Sequence, residues 1–337
     1  MKDQSHNTES SNTQSSVEIP NLEERFNNYI ERKSPVWDLS GNLLNGICYC
    51  RYPNGQLCMV GTFKDGIPHK HYESYYINGQ IKDRGRFIFG NREGLLERYN
   101  EYGQLKFKGT FKDGERDGPY ELYYENGRLR EKGTYRNGER NGLYVEYYEN
   151  RQLFSKKNYN NGKQDGWFEL YYENGQLMCK GIRKDGEMNG SYKEFYEDGR
   201  LRIKGTYKEG KRDGLVEIYG ENGQLKCKET YKDGEESGPF ERYDKKGQLR
   251  FKGILNKKKL NGPLEEYYEN GQLKIRGICK DGVEDGPFES YYENGQLMEK
   301  GTYKNGVEQG RLEVYNEDGS VNRRLTGIYQ NGVKVSD

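Results

Sequence analysis

The sequence predicts an all-β fold: an elongated repeat protein, a single twisted antiparallel β-meander of about twelve 24-residue β-hairpin units with a short N-terminal helix. Three observations predict it. A tetrad of the form Asn-Gly-Gln-Leu returns every 24 residues, beginning at Asn54, Asn78, Tyr102, Asn126, Asn150, Asn174, Asp198, Asn222, Lys246, Asn270, Asn294 and Asp318. Each tetrad lies between two alternating segments, the pattern of a half-buried strand on either side of a turn. Opposite charges recur at the positions that face each other when the tetrad is a hairpin loop.

Composition alone points elsewhere. The 337 residues are 31% hydrophobic and 32% charged, figures typical of disorder, yet they include 45 Gly and 31 Tyr. This excludes a single large-cored globule, a collagen-like chain and a membrane protein, since no apolar run approaches the roughly 18 residues a spanning helix needs. With 55 Lys+Arg against 54 Asp+Glu, the net charge of +1 gives no field to steer nucleic acid, and no nucleic-acid partner is expected.

Taken in order, residues 1–16 are Ser/Thr/Asn/Gln-rich, read as a disordered polar N-terminus without the apolar stretch of a signal peptide, so the expected compartment is cytoplasmic. Residues 17–35 read as a short capping helix and linker: Asn21 with Glu24 suggests a capping box, and Leu22, Phe26, Tyr29 and Ile30 share one helical face. The expected role is to cover the first hairpin, because terminal repeats need a cap.

Residues 36–337 form the repeat domain, and the cleanest unit runs from Pro119 to Gly142. Asn126-Gly127 is read as a two-residue type I′ loop, whose central residues both need φ > 0. Counting outward, Tyr124 faces Leu129, Tyr123 faces Arg130, Leu122 faces Glu131, Glu121 faces Lys132 and Tyr120 faces Gly133. One face then carries Tyr120, Leu122, Tyr124, Leu129, Gly133 and Tyr135; the other carries Glu121, Tyr123, Glu125, Arg128, Arg130 and Lys132. The Glu121/Lys132 positions hold opposite charges in nine of eleven units, from Glu73 with Arg84 to Glu313 with Arg324; Val145 with Lys156 and Lys193 with Lys204 are the exceptions. The Gly133 position is glycine except at Lys157 and Glu229, and mostly faces Tyr, Phe or Leu, so a ring can lie over bare backbone. Segments such as Asn137 to Gly142 return the chain to the next hairpin. At about 4.8 Å per strand, twelve hairpins would extend about 115 Å.

The stretch Gly133-x-Tyr135-x-x-Gly138-x-x-x-Gly142 resembles the core of a MORN repeat. The whole unit, with Tyr-Tyr-Glu-Asn-Gly-Gln-Leu at 171–177 and 291–297, is similar to the variant MORN repeats of bacterial proteins grouped as YwqK-type antitoxins. Tyr or Phe stands where MORN repeats usually have Trp, and the second glycine is followed by Pro or Leu. The resemblance implies a β-meander used for binding, with protein partners, dimerisation and, in some members, phospholipid association. The antitoxin grouping implies neutralisation of a toxin by direct binding.

The leading functional reading is a non-enzymatic scaffold that binds a protein partner, most concretely an antitoxin whose partner is a toxin. No nucleophile or paired-carboxylate constellation stands out, His69 and His71 are read as lying in an irregular loop, and no cofactor or metal is expected. A second aromatic row, Tyr75, Tyr99, Tyr123, Tyr147, Tyr171, Tyr219, Tyr243, Tyr267 and Tyr291, lies on the charged face. It is read either as rings stacked on neighbouring Lys and Arg stems or as a partner-binding surface. The alternative is peripheral association with anionic membrane phospholipid through uncompensated Lys193, Lys204, Lys257, Lys258 and Lys259. A glycan-binding array ranks last, with only Trp37 and Trp167 available. Open sheet edges allow a homodimer. Cys179 and Cys227 are read as small inward hydrophobes. Cys48, Cys50 and Cys58 are close enough for a disulfide or metal cluster, which a cytosolic chain with no fourth ligand nearby disfavours.

Overall fold

A computed structural model describes residues 16–337; the expected disorder of residues 1–15 lies outside the described residues. Two compact units divide the chain, the first ending at Lys163 and the second beginning at Gln164. Each is an open meander of consecutive hydrogen-bonded antiparallel strands, with the expected period of 24 residues.

The repeat at Glu115–Arg140 shows how the sequence makes a hairpin. Strands Glu115–Tyr123 and Leu129–Arg136 pair Leu122 with Glu131, Glu121 with Lys132 and Tyr120 with Gly133, as the sequence predicts. Nearer the loop the structure corrects the expectation. Tyr123 pairs with Leu129, and Arg130 is an extra, bulged residue. Only Gly127 of the Asn-Gly pair has positive φ. Tyr124 N–H donates to the Arg128 carbonyl at 2.8 Å and Gly127 N–H to the Tyr124 carbonyl at 2.9 Å, closing a three-residue loop with a left-handed glycine. The cause is the Asn126 side chain: its Oδ1 accepts the Arg128 N–H at 3.0 Å, so the asparagine bridges its own loop instead of taking positive φ. The loop shifts the register by one and the bulge at Arg130 shifts it back.

The two-residue turn with both φ positive is at Asn137-Gly138 (φ 47° and 78°), where Arg136 pairs with Glu139. The next strand, Gly142–Tyr147, then pairs Val145 with Lys132. In the last unit Gly327 faces Leu312, and the bridge between Tyr315 and Val321 closes the loop differently. Glu313 therefore does not meet Arg324, contrary to the sequence expectation.

The inward face is a layer of rings over bare backbone. Tyr120, Tyr144, Phe240 and Phe288 are buried on it, although only one sheet deep. A Cβ on Gly133 would press into the Tyr144 ring, with Cε2 at 2.9 Å, and a Cβ on Gly253 would meet Phe240 Cε1 at 3.1 Å. These glycines are required for space, since their φ is ordinary. Where glycine is replaced, a charge finds a partner: Lys157 with Glu146 at 2.6 Å, and Glu229 with the Tyr231 hydroxyl at 2.8 Å.

The helix Leu22–Arg32 buries Leu22, Phe26 and Tyr29. The expected capping box does not form: Asn21 is left-handed and its side chain caps nothing. The helix lies on the aromatic face of the first hairpins, with Phe26 against Tyr72 and Phe87 at ring distances of 5.0 and 5.6 Å. Glu23 reaches Lys82 at 2.8 Å near one end of a strand, and the Tyr29 hydroxyl reaches the Gly90 carbonyl at 3.3 Å beyond the other end. The helix axis thus follows the strands. Val17–Glu18 adds a parallel edge to Gly46–Arg51. Cys50 and Cys58 are joined as a disulfide, the pairing that the cytosolic reading disfavoured, while Cys48 is free and buried. His69 and His71 lie in the strand Ile67–Tyr75, not in a loop.

Candidate partner-binding surface

The outward face is built from three positions of every repeat. On the strand Glu235–Tyr243, Glu241 and Tyr243 point the same way because two residues separate them. The Tyr243 hydroxyl donates to Glu241, and the same bond recurs from Tyr123 to Glu121 at 2.7 Å, Tyr171 to Glu169 at 2.6 Å and Tyr291 to Glu289 at 2.6 Å. It recurs also at Tyr75, Tyr99, Tyr219 and Tyr267. Tyr147 has Val145 in the glutamate position.

The cations complete the arrangement for the most part across hairpins; of the partners expected within one hairpin, Arg276 with Glu265 at 3.8 Å and Lys108 with Glu97 at 4.0 Å are in reach. Lys252, opposite Glu241 in its own hairpin, makes its ion pair with Glu265 of the next, at 2.8 Å. Lys228 reaches Glu241 at 2.9 Å, Lys300 reaches Glu313 at 3.0 Å and Arg84 reaches Glu97 at 2.5 Å in the same forward sense. Three of these cations also lie over the tyrosine ring of that next hairpin: Lys252 is 5.9 Å from the centre of Tyr267, Lys228 6.0 Å from that of Tyr243 and Arg84 5.7 Å from that of Tyr99.

This network shifts the titration of its members. The Tyr243 hydroxyl and then Lys228 hold the Glu241 carboxyl below its usual range; Lys252 and then Tyr267 do the same to Glu265. Hydrogen bonds from Lys300, Tyr315 and Arg311 bring Glu313 down to about 2. Burial, then the bonded glutamate, pushes Tyr75, Tyr123 and Tyr171 up to about 12. The predicted tyrosine row thus presents half-buried rings whose hydroxyls are mostly committed.

Of the lysines expected to be uncompensated, Lys204 is paired with Glu217 at 2.6 Å, which corrects that expectation. Lys193 lies between Lys180 and Lys204 in the sheet register, a local run of positive charge. Lys257 and Lys258 form the two-residue turn before Lys259, both with positive φ.

The sequence reading missed two features. The first is a trough beside the charged row. Its other bank is apolar, formed by Pro263, Pro287 and Ile278, with Leu215, Trp167 and Ile182 exposed at the same positions elsewhere in the second unit. Cavities of about 530 and 310 Å³ share Pro263 and Glu265, so here the trough is continuous. The signal was the residue after each second glycine, Pro or Leu in most units. The second is on the inward face of the first unit, where Arg92, Arg116 and Arg140 recur at the repeat period; Arg116 lies 4.9 Å from the Tyr120 ring centre and Arg140 4.2 Å from that of Tyr144.

Among the described residues no helix is long and apolar enough to cross a membrane, and no group of three His, Cys, Asp or Glu could hold a metal. These hairpins, stitched repeat to repeat with a continuous outward trough, define a repeat scaffold. The family profile described as "MORN repeat variant" matches residues 44–65, 92–113, 116–137, 164–185, 188–209, 212–233, 260–278 and 284–305, together just over half of the chain. The chain belongs to the MORN repeat variant family. No curated protein matches it in sequence. Two crystal structures, TcdB2-TccC3 and TcdB2-TccC3-Cdc42, are similar over 80% and 83% of this chain, at 12% and 11% identity and TM-scores of 0.17 and 0.18. The chain spans only 17% and 18% of those chains, and at such scores the likeness carries no argument.

Proposed function

We propose that the chain is a non-enzymatic scaffold that binds a protein partner in the outward trough of its second unit. One observation carries this reading: a continuous groove with exposed Pro and Ile on one bank and an alternating Glu/Lys/Arg row on the other. Contiguous exposed apolar surface rimmed by polar residues is the mark of a protein-interaction site. The polar groups of the row are already paired with one another, which supports recognition over chemistry. An antitoxin that neutralises a bound toxin is the concrete form suggested by the resemblance of the repeats to YwqK-type proteins.

The test is photo-crosslinking in the producing cell, with a benzophenone amino acid at Leu215 or Pro287 and, as a control, at exposed Tyr102. The expected result is one protein adduct from the trough positions alone. Adducts absent from both trough positions, with the chain sedimenting on anionic vesicles at physiological salt, would favour the phospholipid alternative. A captured partner whose toxicity is unaffected by equimolar chain would remove the antitoxin form and keep the scaffold.

A further inference from the structure

The inward face of the first unit holds a cavity of about 720 Å³ directly beside the N-terminal helix. Its floor is Phe107, Phe111 and Tyr120, and six cations line it. Three of these are neutralised: Lys82 by Glu23 at 2.8 Å, Arg98 by Asp83 at 2.8 Å and Lys106 by Glu125 at 2.5 Å. The other three are Arg92, Arg116 and Arg130. Arg92 and Arg116 have no carboxylate partner among the described residues; they lie over Phe111 at 5.7 Å and over Tyr120 at 4.9 Å. Arg92 Nε is buried without a hydrogen-bond partner. Arg130 comes no nearer to an acid than 3.7 Å, to a Glu131 that already accepts the Tyr120 hydroxyl. Burial first, then the like charges of Arg98 and Arg116, disfavour the cationic form of Arg92 against the weaker opposing pull of Tyr72 and of Asp83, which Arg98 already holds. Arg92 and Arg116 are half-buried without a carboxylate and Arg130 stands exposed at the rim, so an arriving anion would gain charge-assisted hydrogen bonds that the folded chain leaves largely unmade.

The chain's own helix shows what this face accepts. It lies along the strands, sets Phe26 on the rings of Tyr72 and Phe87, and gives Glu23 to Lys82. One and two repeats further on, the same positions are Leu96 and Phe111 with Lys106, then Tyr120 and Tyr135 with Arg130. A hairpin advances the sheet by about 9.6 Å, two strand spacings, and packed helices lie about 8–10 Å apart. A second helix therefore fits alongside the first in register with the repeats.

We propose that this cavity binds an acidic amphipathic helix of a partner protein, docked beside the helix Leu22–Arg32, with carboxylates on Arg92, Arg116 and Arg130 and apolar residues on Phe107, Phe111 and Tyr120. This rests on the reading of the chain as a protein-binding scaffold and adds a second, charge-selective site to it. The cations are spread over three repeats, so a helix that carries several carboxylates answers them better than a single small anion. Arginine's planar fork pairs with a carboxylate through two parallel hydrogen bonds.

The test uses three fluorescent 18-residue peptides and the full chain: an amphipathic helix with glutamates flanking a Leu/Phe stripe, its lysine counterpart, and a glutamate peptide of scrambled order. The acidic helix is expected to bind saturably, and the other two at least tenfold more weakly. Arg116→Gln and Arg130→Gln should each weaken binding about tenfold, the scale of one charge-assisted hydrogen bond, while Lys274→Gln in the second unit should not. The peptide comparison on the unmodified chain does not depend on how any variant folds. Equal binding of acidic and lysine peptides, equal binding of the scrambled peptide, or indifference to both arginine substitutions in folded variants overturns the site. So does retention on phosphatidylserine vesicles through these arginines with no peptide binding. A protein adduct from Leu215 or Pro287 with no peptide binding would retire this site and leave the scaffold standing.

Discussion

The Tyr124 hydroxyl donates to the backbone carbonyl of Tyr147, 2.8 Å away in the next hairpin. The same stitch runs from Tyr52 to Tyr75, Tyr76 to Tyr99, Tyr196 to Tyr219 and Tyr268 to Tyr291, always 23 residues on. A side-chain hydrogen bond of this kind is worth about 0.5–1.5 kcal/mol. Tyr268→Phe should therefore lower the stability of the second unit by about 1 kcal/mol in urea titration, leaving the hairpin intact. The fold already tolerates the loss at Gly220 and Asp244, which occupy this position. A loss above about 3 kcal/mol would mean that the ring packing, not the bond, had been disturbed.

The glycines of the inward face separate by what covers them. At Gly133 a Cβ would run into the buried, Arg140-stacked ring of Tyr144; at Gly277 its closest neighbour would be Phe288 Cδ2 at an ordinary 3.4 Å. Gly133→Ala should cost about 1–3 kcal/mol by overpacking. Gly277→Ala should be neutral or stabilising by up to about 1 kcal/mol, because alanine has less unfolded-state entropy to lose. Thermal melts of the two variants check the contrast, and equal destabilisation would contradict the ring-over-glycine account.

These two relationships show where the sequence was legible. The period, the faces and the pairing of Glu121 with Lys132 follow from alternation and charge, which are properties of position, and the structure has them. The loop at Asn126-Gly127 departs from the expected turn because Asn-Gly suits both a type I′ turn and a loop bridged by the asparagine side chain, and only a competing hydrogen bond decides between them. The forward reach of Lys252 to Glu265 was hidden because both glutamates flank the lysine in register and each carries a tyrosine, so only the direction in which the lysine side chain leans decides. The trough and the arginine cavity depend on which side chains leave space between rows, which alternation does not encode.

Lys258 occupies a turn position that is glycine in most repeats, and it does so at φ 67°. Its N–H still donates to the Glu236 carbonyl at 3.0 Å, so the turn is kept against the steric cost of a side chain in the left-handed region. That cost is about 1–2 kcal/mol for an L-residue. Lys258→Gly should stabilise the second unit by about 1 kcal/mol, part of the gain being lost to the freer unfolded chain. The readout is the urea midpoint; a lower midpoint would show that the Lys258 side chain contributes packing that outweighs the strain.

The charged row predicts the response to acid. Glu241, Glu265 and Glu313 titrate below the ordinary value of 4.5 in the folded chain, Glu313 at about 2, so each favours folding while ionised. For a depressed carboxyl the contribution is complete above the unfolded value and disappears as pH falls through the folded one. Stability should therefore be level from about pH 7 to 5 and decline progressively below about pH 4.5, the Glu313 share continuing to fall until about pH 2. These groups are half-buried on an open sheet face in contact with solvent, so each share is small and screened by salt. Carboxyl NMR titration is the direct check, with Glu313 expected to move last of the three. Glu313→Gln should flatten the lowest part of the acid limb, and Tyr315→Phe should move the Glu313 midpoint upward by removing one of its three hydrogen bonds. A Glu313 midpoint near 4.5 in the unmodified chain would show that the row is a register device without electrostatic coupling.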